Sequence, residues 1–153
     1  MPQSNISAES SITIKASPQE VYRYVANLKH HYLWNPSLRS VSPEAELKPG
    51  MSFQTESVIL KDIKISTHNV VTKLVPNRLV SIHNEMGLVK YDIDFMLTKE
   101  GKYTIATSKV SMLTSSQAFG LTLPVLKRLA NRELQSDLES LKFAVETDLA
   151  SNM

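Results

Sequence analysis

Residues 123–149 read LPVLKRLANRELQSDLESLKFAVETDL, and no other stretch of the chain constrains the architecture as strongly. Leu123, Leu126, Ala130, Leu134, Leu138, Leu141 and Val145 recur at steps of three and four, while Lys127, Arg128, Gln135, Glu139, Lys142 and Glu146 fall away from that stripe. This spacing predicts a long amphipathic helix with one face turned to a core. Pro124 either begins its regular part or kinks it, because a proline inside a helix removes a hydrogen bond and collides with the preceding turn.

Upstream, from Leu38 to about Thr114, the period changes. β-Branched and aromatic residues are separated by turn signals at Lys48-Pro49-Gly50, Pro76-Asn77, Met86-Gly87 and Glu100-Gly101, which predicts about six strands. The clearest is Tyr91, Ile93, Phe95 and Leu97 alternating with Asp92, Asp94 and Thr98, so the first set faces inward. Met51, Phe53, Thr55 and Ser57 make a weaker inner set. Between Ile63 and Val75 the parity changes, since Ile63 and Ile65 share one face whereas Val70, Thr72 and Leu74 share the other, and a bulge is expected there. Near the start, Ser11 to Ala16 alternates as a first strand. Ser17-Pro18-Gln19-Glu20 then opens a helix with a cap, a proline in its first turn and a capping box. A second short helix over His30 to Trp34 ends before Asn35-Pro36, because proline disfavours helical backbone in the residue before it.

The whole chain is consistent with one domain over residues 9–149. Its 153 residues suffice to bury roughly two-thirds of the surface that the unfolded chain exposes. Hydrophobic residues make up 42% and charged residues 21%, ordinary values that argue against disorder and membrane embedding. Net charge is only +2 with interspersed signs, so the basic stripe of a nucleic-acid binder is missing and no nucleic-acid partner is expected. No cysteine is present, which excludes disulfides, thiolate catalysis and cysteine-ligated zinc. Neither a secretory leader nor a membrane-spanning apolar run is visible, so the expected location is cytoplasmic, without stable membrane insertion. Asn5-Ile6-Ser7 matches a glycosylation sequon that such a location leaves unused.

The element order, a strand, two short helices, about six strands and a long C-terminal helix, resembles the START-like, birch-pollen-allergen-like helix-grip superfamily (SRPBCC). Local features over roughly residues 9–149 resemble its polyketide cyclase/dehydratase and lipid-transport branch. They are Ile12-Thr13-Ile14 followed by Ser17-Pro18-Gln19-Glu20-Val21-Tyr22, then Trp34-Asn35-Pro36, Pro76-Asn77-Arg78-Leu79 and Leu138-Glu139-Ser140-Leu141-Lys142. The resemblance implies an α+β fold in which a curved antiparallel sheet of about seven strands grips the C-terminal helix. It also implies a cavity between them that in various relatives holds lipids, polyketides, hormones or aromatic compounds. Binders, transporters and cyclases share this fold, so the resemblance carries no single activity, and no catalytic residue transfers by motif.

The residue patterns narrow the chemistry. His30 and His31 are adjacent and diverge, while His68 and His83 stand alone, so no metal is expected. His83-Asn84-Glu85 matches half of a zinc-deaminase signature whose cysteines are missing. Four isolated glycines provide neither a dinucleotide fingerprint nor a phosphate loop, and the hydrolase nucleophile elbow is missing, so no cofactor is expected.

The expected ligand is a small hydrophobic molecule, and the expected lining is Trp34, Phe53, Ser57, His83, Tyr91, Ile93, Phe95, Leu123 and Leu126. His83 and Tyr91 are its polar candidates. The alternatives are a His83 in solvent at a strand end and a Tyr91 that packs its ring in the core. Glu56 and Asp94 fall on the solvated face by alternation. Phe119, Leu121 and Leu123, beside Gly120 and Pro124, form either a lip over the cavity mouth or a plain helix start. Lys127, Arg128 and Arg132 make either a solvated face or a surface for anionic headgroups. Two further readings stand beside simple binding. One is a cyclase/dehydratase-like enzyme using a cavity His or Tyr, and the other is a protein-interaction module whose cavity is filled by its own side chains.

Overall fold

The computed structural model describes residues 4–59, 61–87, 89–114 and 122–151. Seven strands form one antiparallel sheet: β1 (Ser4–Ile14), β2 (Leu38–Ser42), β3 (Ser52–Ile59), β4 (Ile63–Val75), β5 (Leu79–Met86), β6 (Val89–Glu100) and β7 (Tyr103–Thr114). Their spatial order is β1-β7-β6-β5-β4-β3-β2, so each strand from β2 to β7 lies beside its neighbour in sequence and β1 closes the far side against β7. Between β1 and β2 lie α1 (Pro18–Val25), a turn of 3-10 helix (Leu28–His30) and α2 (His31–Trp34). The last element, α3 (Leu123–Ser151), is a helix of 29 residues, about 43 Å long at 1.5 Å per residue. This is the helix-grip α+β architecture that the sequence predicts.

Local chemistry sets the boundaries. The Ser17 hydroxyl accepts from the Glu20 amide at 3.2 Å and the Glu20 carboxylate accepts from the Ser17 amide at 3.4 Å, completing the expected capping box. Asn35 ends α2 in non-helical backbone, φ −121° and ψ 89°, ahead of Pro36. The parity change in β4 is a register shift between Val71 and Lys73, which lets Thr67, Asn69 and Val71 and then Leu74 face the same side. β1 starts at Ser4, earlier than the sequence suggests. Asn5, Ser7 and Glu9 make that stretch look polar, yet Ile6 and Ala8 between them are buried against β7 and α3.

The core lies between the concave sheet face and the apolar stripe of α3. Leu138, Leu141 and Val145 are fully buried there with Ile14, Val21, Val25, Leu28, Val71, Val80 and Ala106, and Trp34 and Phe95 join the same cluster. Leu126 and Leu134 belong to two smaller clusters nearer the N-terminal end of α3. The core is therefore dense beneath the C-terminal half of the helix and divided beneath its N-terminal half. That division leaves room for the site.

Candidate functional site

A cavity of about 240 Å³ opens between the sheet and the N-terminal half of α3. Every element that lines it does so by alternation or helical spacing. β3 supplies Phe53, Thr55, Ser57 and Ile59; β4 supplies Ile65, Thr67 and Asn69; β5 supplies Ile82, Asn84 and Met86. From β6 come Tyr91, Ile93 and Phe95, and from β7 come Val110 and Met112. Val25, His31 and Trp34 form the end under the short helices, and Leu126, Leu129, Ala130, Glu133, Leu134 and Asp137 form the helix wall.

Most of this surface is hydrocarbon, but its polar groups converge. One row of paired residues crosses the sheet through Phe53, Asn69, Asn84, Tyr91 and Met112, with Asn69 opposite Asn84 and Asn84 opposite Tyr91. The Asn69 amide donates to the Phe53 carbonyl at 3.2 Å and to the Thr55 hydroxyl and the Thr67 carbonyl, each at 3.3 Å. The Asn84 amide donates to the Ile82 carbonyl at 3.0 Å and to the Tyr91 carbonyl at 3.3 Å. Both side-chain nitrogens are thus committed to the sheet.

His31 is buried. Its Nε2 lies 2.8 Å from the Val25 carbonyl, which accepts only, so Nε2 carries the hydrogen and Nδ1 remains an acceptor. The ring leans on Trp34 with centroids 4.6 Å apart, and Trp34 meets Phe95 edge-on at 5.2 Å. Burial holds the His31 pKa down at about 4, so the imidazole is neutral at pH 7. Burial also pushes the Tyr91 phenol up to about 12, helped by the charge of Asp137 and opposed by a hydrogen bond with Thr67.

The strongest perturbation belongs to Asp137. Its Oδ1 is buried with no hydrogen-bond partner, and burial first, then the neighbouring Glu133, raises its pKa well above the usual carboxylate range. Glu133 sits one helical turn before it and accepts from the Ser37 hydroxyl at 3.1 Å. An unpartnered buried carboxyl is costly, so this polar pole works against stability.

Of the nine residues predicted to line the site, the structure brings together Trp34, Phe53, Ser57, Tyr91, Ile93, Phe95 and Leu126. His83 and Leu123 are elsewhere. Val80, Ile82, Asn84 and Met86 take the inner face of β5, which turns His83 outward, where Nδ1 lies 2.8 Å from Asp92 and Nε2 lies 3.3 Å from Glu85. Those two carboxylates, Asp92 foremost, raise the His83 pKa. Leu123 packs with Ile6, Val89 and Leu126 beside the cavity. Glu56 is exposed and Asp94 accepts from Ser81 at 2.6 Å on the outer face, as alternation indicates. The proposed lip residues Phe119 and Leu121, with Gly120, lie outside the described residues.

Sequence reasoning missed His31, Asn69, Asn84, Glu133 and Asp137. A signal existed for the two acids: Leu126, Ala130, Glu133 and Asp137 follow steps of four, three and four, which places both carboxyls on the buried stripe. Parity with Val80 and Ile82 likewise points to Asn84 rather than His83.

Among the described residues, no cluster of three or more His, Asp or Glu side chains has metal-binding geometry, and no helix is long and apolar enough to cross a membrane. Searching curated proteins yields no match. Solved structures resemble the chain closely in fold at low identity. A START superfamily protein from Mycobacterium smegmatis superposes with a TM-score of 0.73 at 14% identity, covering 92% of this chain and 97% of that one. The Zhui aromatase/cyclase from Streptomyces superposes with a TM-score of 0.77 at 14% identity, covering 95% and 96%. A Thermus thermophilus protein superposes at 0.79 with 16% identity, covering 93% and 98%. At such identities these likenesses establish the fold alone. The family model described as polyketide cyclase / dehydrase and lipid transport matches residues 5–146, and the chain belongs to that family.

Proposed function

We propose that the protein binds one small, mainly apolar molecule between its sheet and α3. The observation that carries this reading is a cavity of about 240 Å³ whose wall is chiefly hydrocarbon and which also carries Asn69, Asn84 and Tyr91 from the sheet and Glu133 and Asp137 from α3. An apolar cavity of about 150 Å³ accommodates benzene, so this one suits a frame of about two fused rings. Burying ~200 Å² of apolar ligand surface at about 25 cal/mol per Å² contributes about 5 kcal/mol before the costs of association. Burial would supply most of the affinity and the polar pole the selectivity.

The test is direct. The protein is purified natively, denatured, and the released small molecules are compared by mass spectrometry with those from an Ala130→Trp variant that fills the cavity. A compound released in near-stoichiometric amount by the wild type and lost from the variant supports the reading. Equal release from both rejects it.

The convergence of Tyr91, Asp137 and Glu133 favours a second reading, a cyclase/dehydratase-like enzyme. There a protonated Asp137 would donate to a substrate oxygen while the pocket holds a reactive chain in one folded form. Turnover of a bound compound by the wild type that Asp137→Asn abolishes, with binding retained, would favour this reading; binding without turnover would favour the first. A cavity filled by the protein's own side chains, as an interaction module would have, is not what the packing supports.

A further inference from the structure

The charged groups of the cavity are unbalanced in a way that selects a ligand: two carboxyls line it and no cationic side chain does. The donors of Asn69 and Asn84 are spent on sheet carbonyls and a hydroxyl, and the one hydrogen of His31 is spent on Val25. What remains is hydroxyls of Thr55, Ser57, Thr67 and Tyr91, which can donate or accept, and groups that only accept: two amide oxygens, the His31 Nδ1 and the ionised carboxyls of Glu133 and Asp137. Neither lysine nor arginine lines the cavity, and the neutral His31 provides no positive charge. The Asp137 oxygen that is buried without a partner is the group most in need of a donor.

We propose that the cavity selects an apolar amine, a hydrocarbon frame of one or two rings carrying a protonated nitrogen that Asp137 and Glu133 hold at the helix wall. This rests on the reading of the cavity as a ligand site. An ammonium group brings three donors, enough for Asp137, Glu133 and one further acceptor in the same region. It also pairs the buried carboxyl with an opposite charge, which removes the penalty of leaving either one alone. A fatty acid or other carboxylate would face two acids and no cation. A neutral alcohol would fit but supplies a single donor.

The experiment is calorimetric titration of the intact chain at pH 7 with three molecules on one frame: 1-naphthylmethylamine, 1-naphthalenemethanol and 1-naphthoate. The expected order is amine tightest by about tenfold over the alcohol, the gain of a charge-assisted hydrogen bond, with the carboxylate weakest. Asp137→Asn, its fold checked by urea unfolding, should remove the amine preference, and Glu133→Gln should weaken the amine in the same direction.

A carboxylate that binds as tightly as the amine overturns the proposal. So does an amine preference that survives Asp137→Asn. Alcohol binding without any amine preference overturns this inference and leaves the ligand site standing, whereas no binding by any of the three rejects both.

Discussion

Lowering the pH from 7 to 4 should cost the fold about 3 kcal/mol through His31, beyond whatever other groups contribute. In the unfolded chain an imidazole takes up its proton near the ordinary value of 6.5, but the buried ring resists until about pH 4. Between those values the unfolded state binds more protons, so stability is full above the upper one and falls as pH drops toward the lower. Each tenfold in proton affinity is worth about 1.4 kcal/mol, and the interval from 6.5 to about 4 yields the stated loss. The ring is buried, so solvent screens this term little. The assay is urea unfolding followed by the fluorescence of Trp34, the single tryptophan, at pH 7 and pH 4. His31→Gln is the control, since it keeps an N–H for the Val25 carbonyl and cannot titrate. Asp137 acts in the opposite sense, because a raised carboxyl pKa means stability gained as pH falls, but it is present in both proteins and cancels in the comparison. Wild type should lose about 3 kcal/mol more than the variant between the two pH values. Losses that agree within about 1 kcal/mol, the usual error of extrapolation, would refute the reasoning.

Further expectations follow from the same geometry. Asp137→Leu should raise stability at pH 7 by about 1–3 kcal/mol in urea unfolding, because it removes a buried carboxyl without a partner; a loss of stability would mean the carboxyl is satisfied in solution. Leu141→Ala, at a fully buried position under α3, should cost about 2–5 kcal/mol by the same assay, and a cost below 1 would contradict the packing described. Ser17→Ala should cost about 0.5–2 kcal/mol through loss of the cap on α1, whereas Ser17→Asp should restore most of it. Tyr91→Phe should change which ligands bind while leaving the unfolding midpoint close to that of the wild type, and unchanged selectivity would remove Tyr91 from the polar pole.

Much of the fold was legible because its signals are local. The three- and four-residue steps from Leu123 to Val145 have only one helical solution, and Ser17-Pro18-Gln19-Glu20 encodes its own cap. The alternation of Tyr91, Ile93, Phe95 and Leu97 likewise sets the inner face of β6. The cavity was legible on its apolar side for the same reason. Its polar side was not, because Asn84 and Asp137 gain their meaning only from partners far along the chain. Asn84 is set opposite both Asn69 and Tyr91 by strand register, and Asp137 faces them across the cavity from a helix more than forty residues later. His83 misled for the converse reason: a histidine invites a functional reading, whereas the outward pleat of β5 makes it a partner of Asp92. Ile6 and Ala8 were hidden among polar neighbours that face solvent.

Ligand binding in this protein requires that an apolar molecule enter the space between the sheet and α3. Methyl-resolved NMR of the protein titrated with 1-naphthalenemethanol tests it most directly. Saturable one-to-one shifts are expected at Ile82, Ile93, Met112, Leu126 and Leu134, with the exposed Leu33 and Leu113 unmoved. Shifts confined to Leu33 and Leu113, or none at saturating ligand, would contradict it.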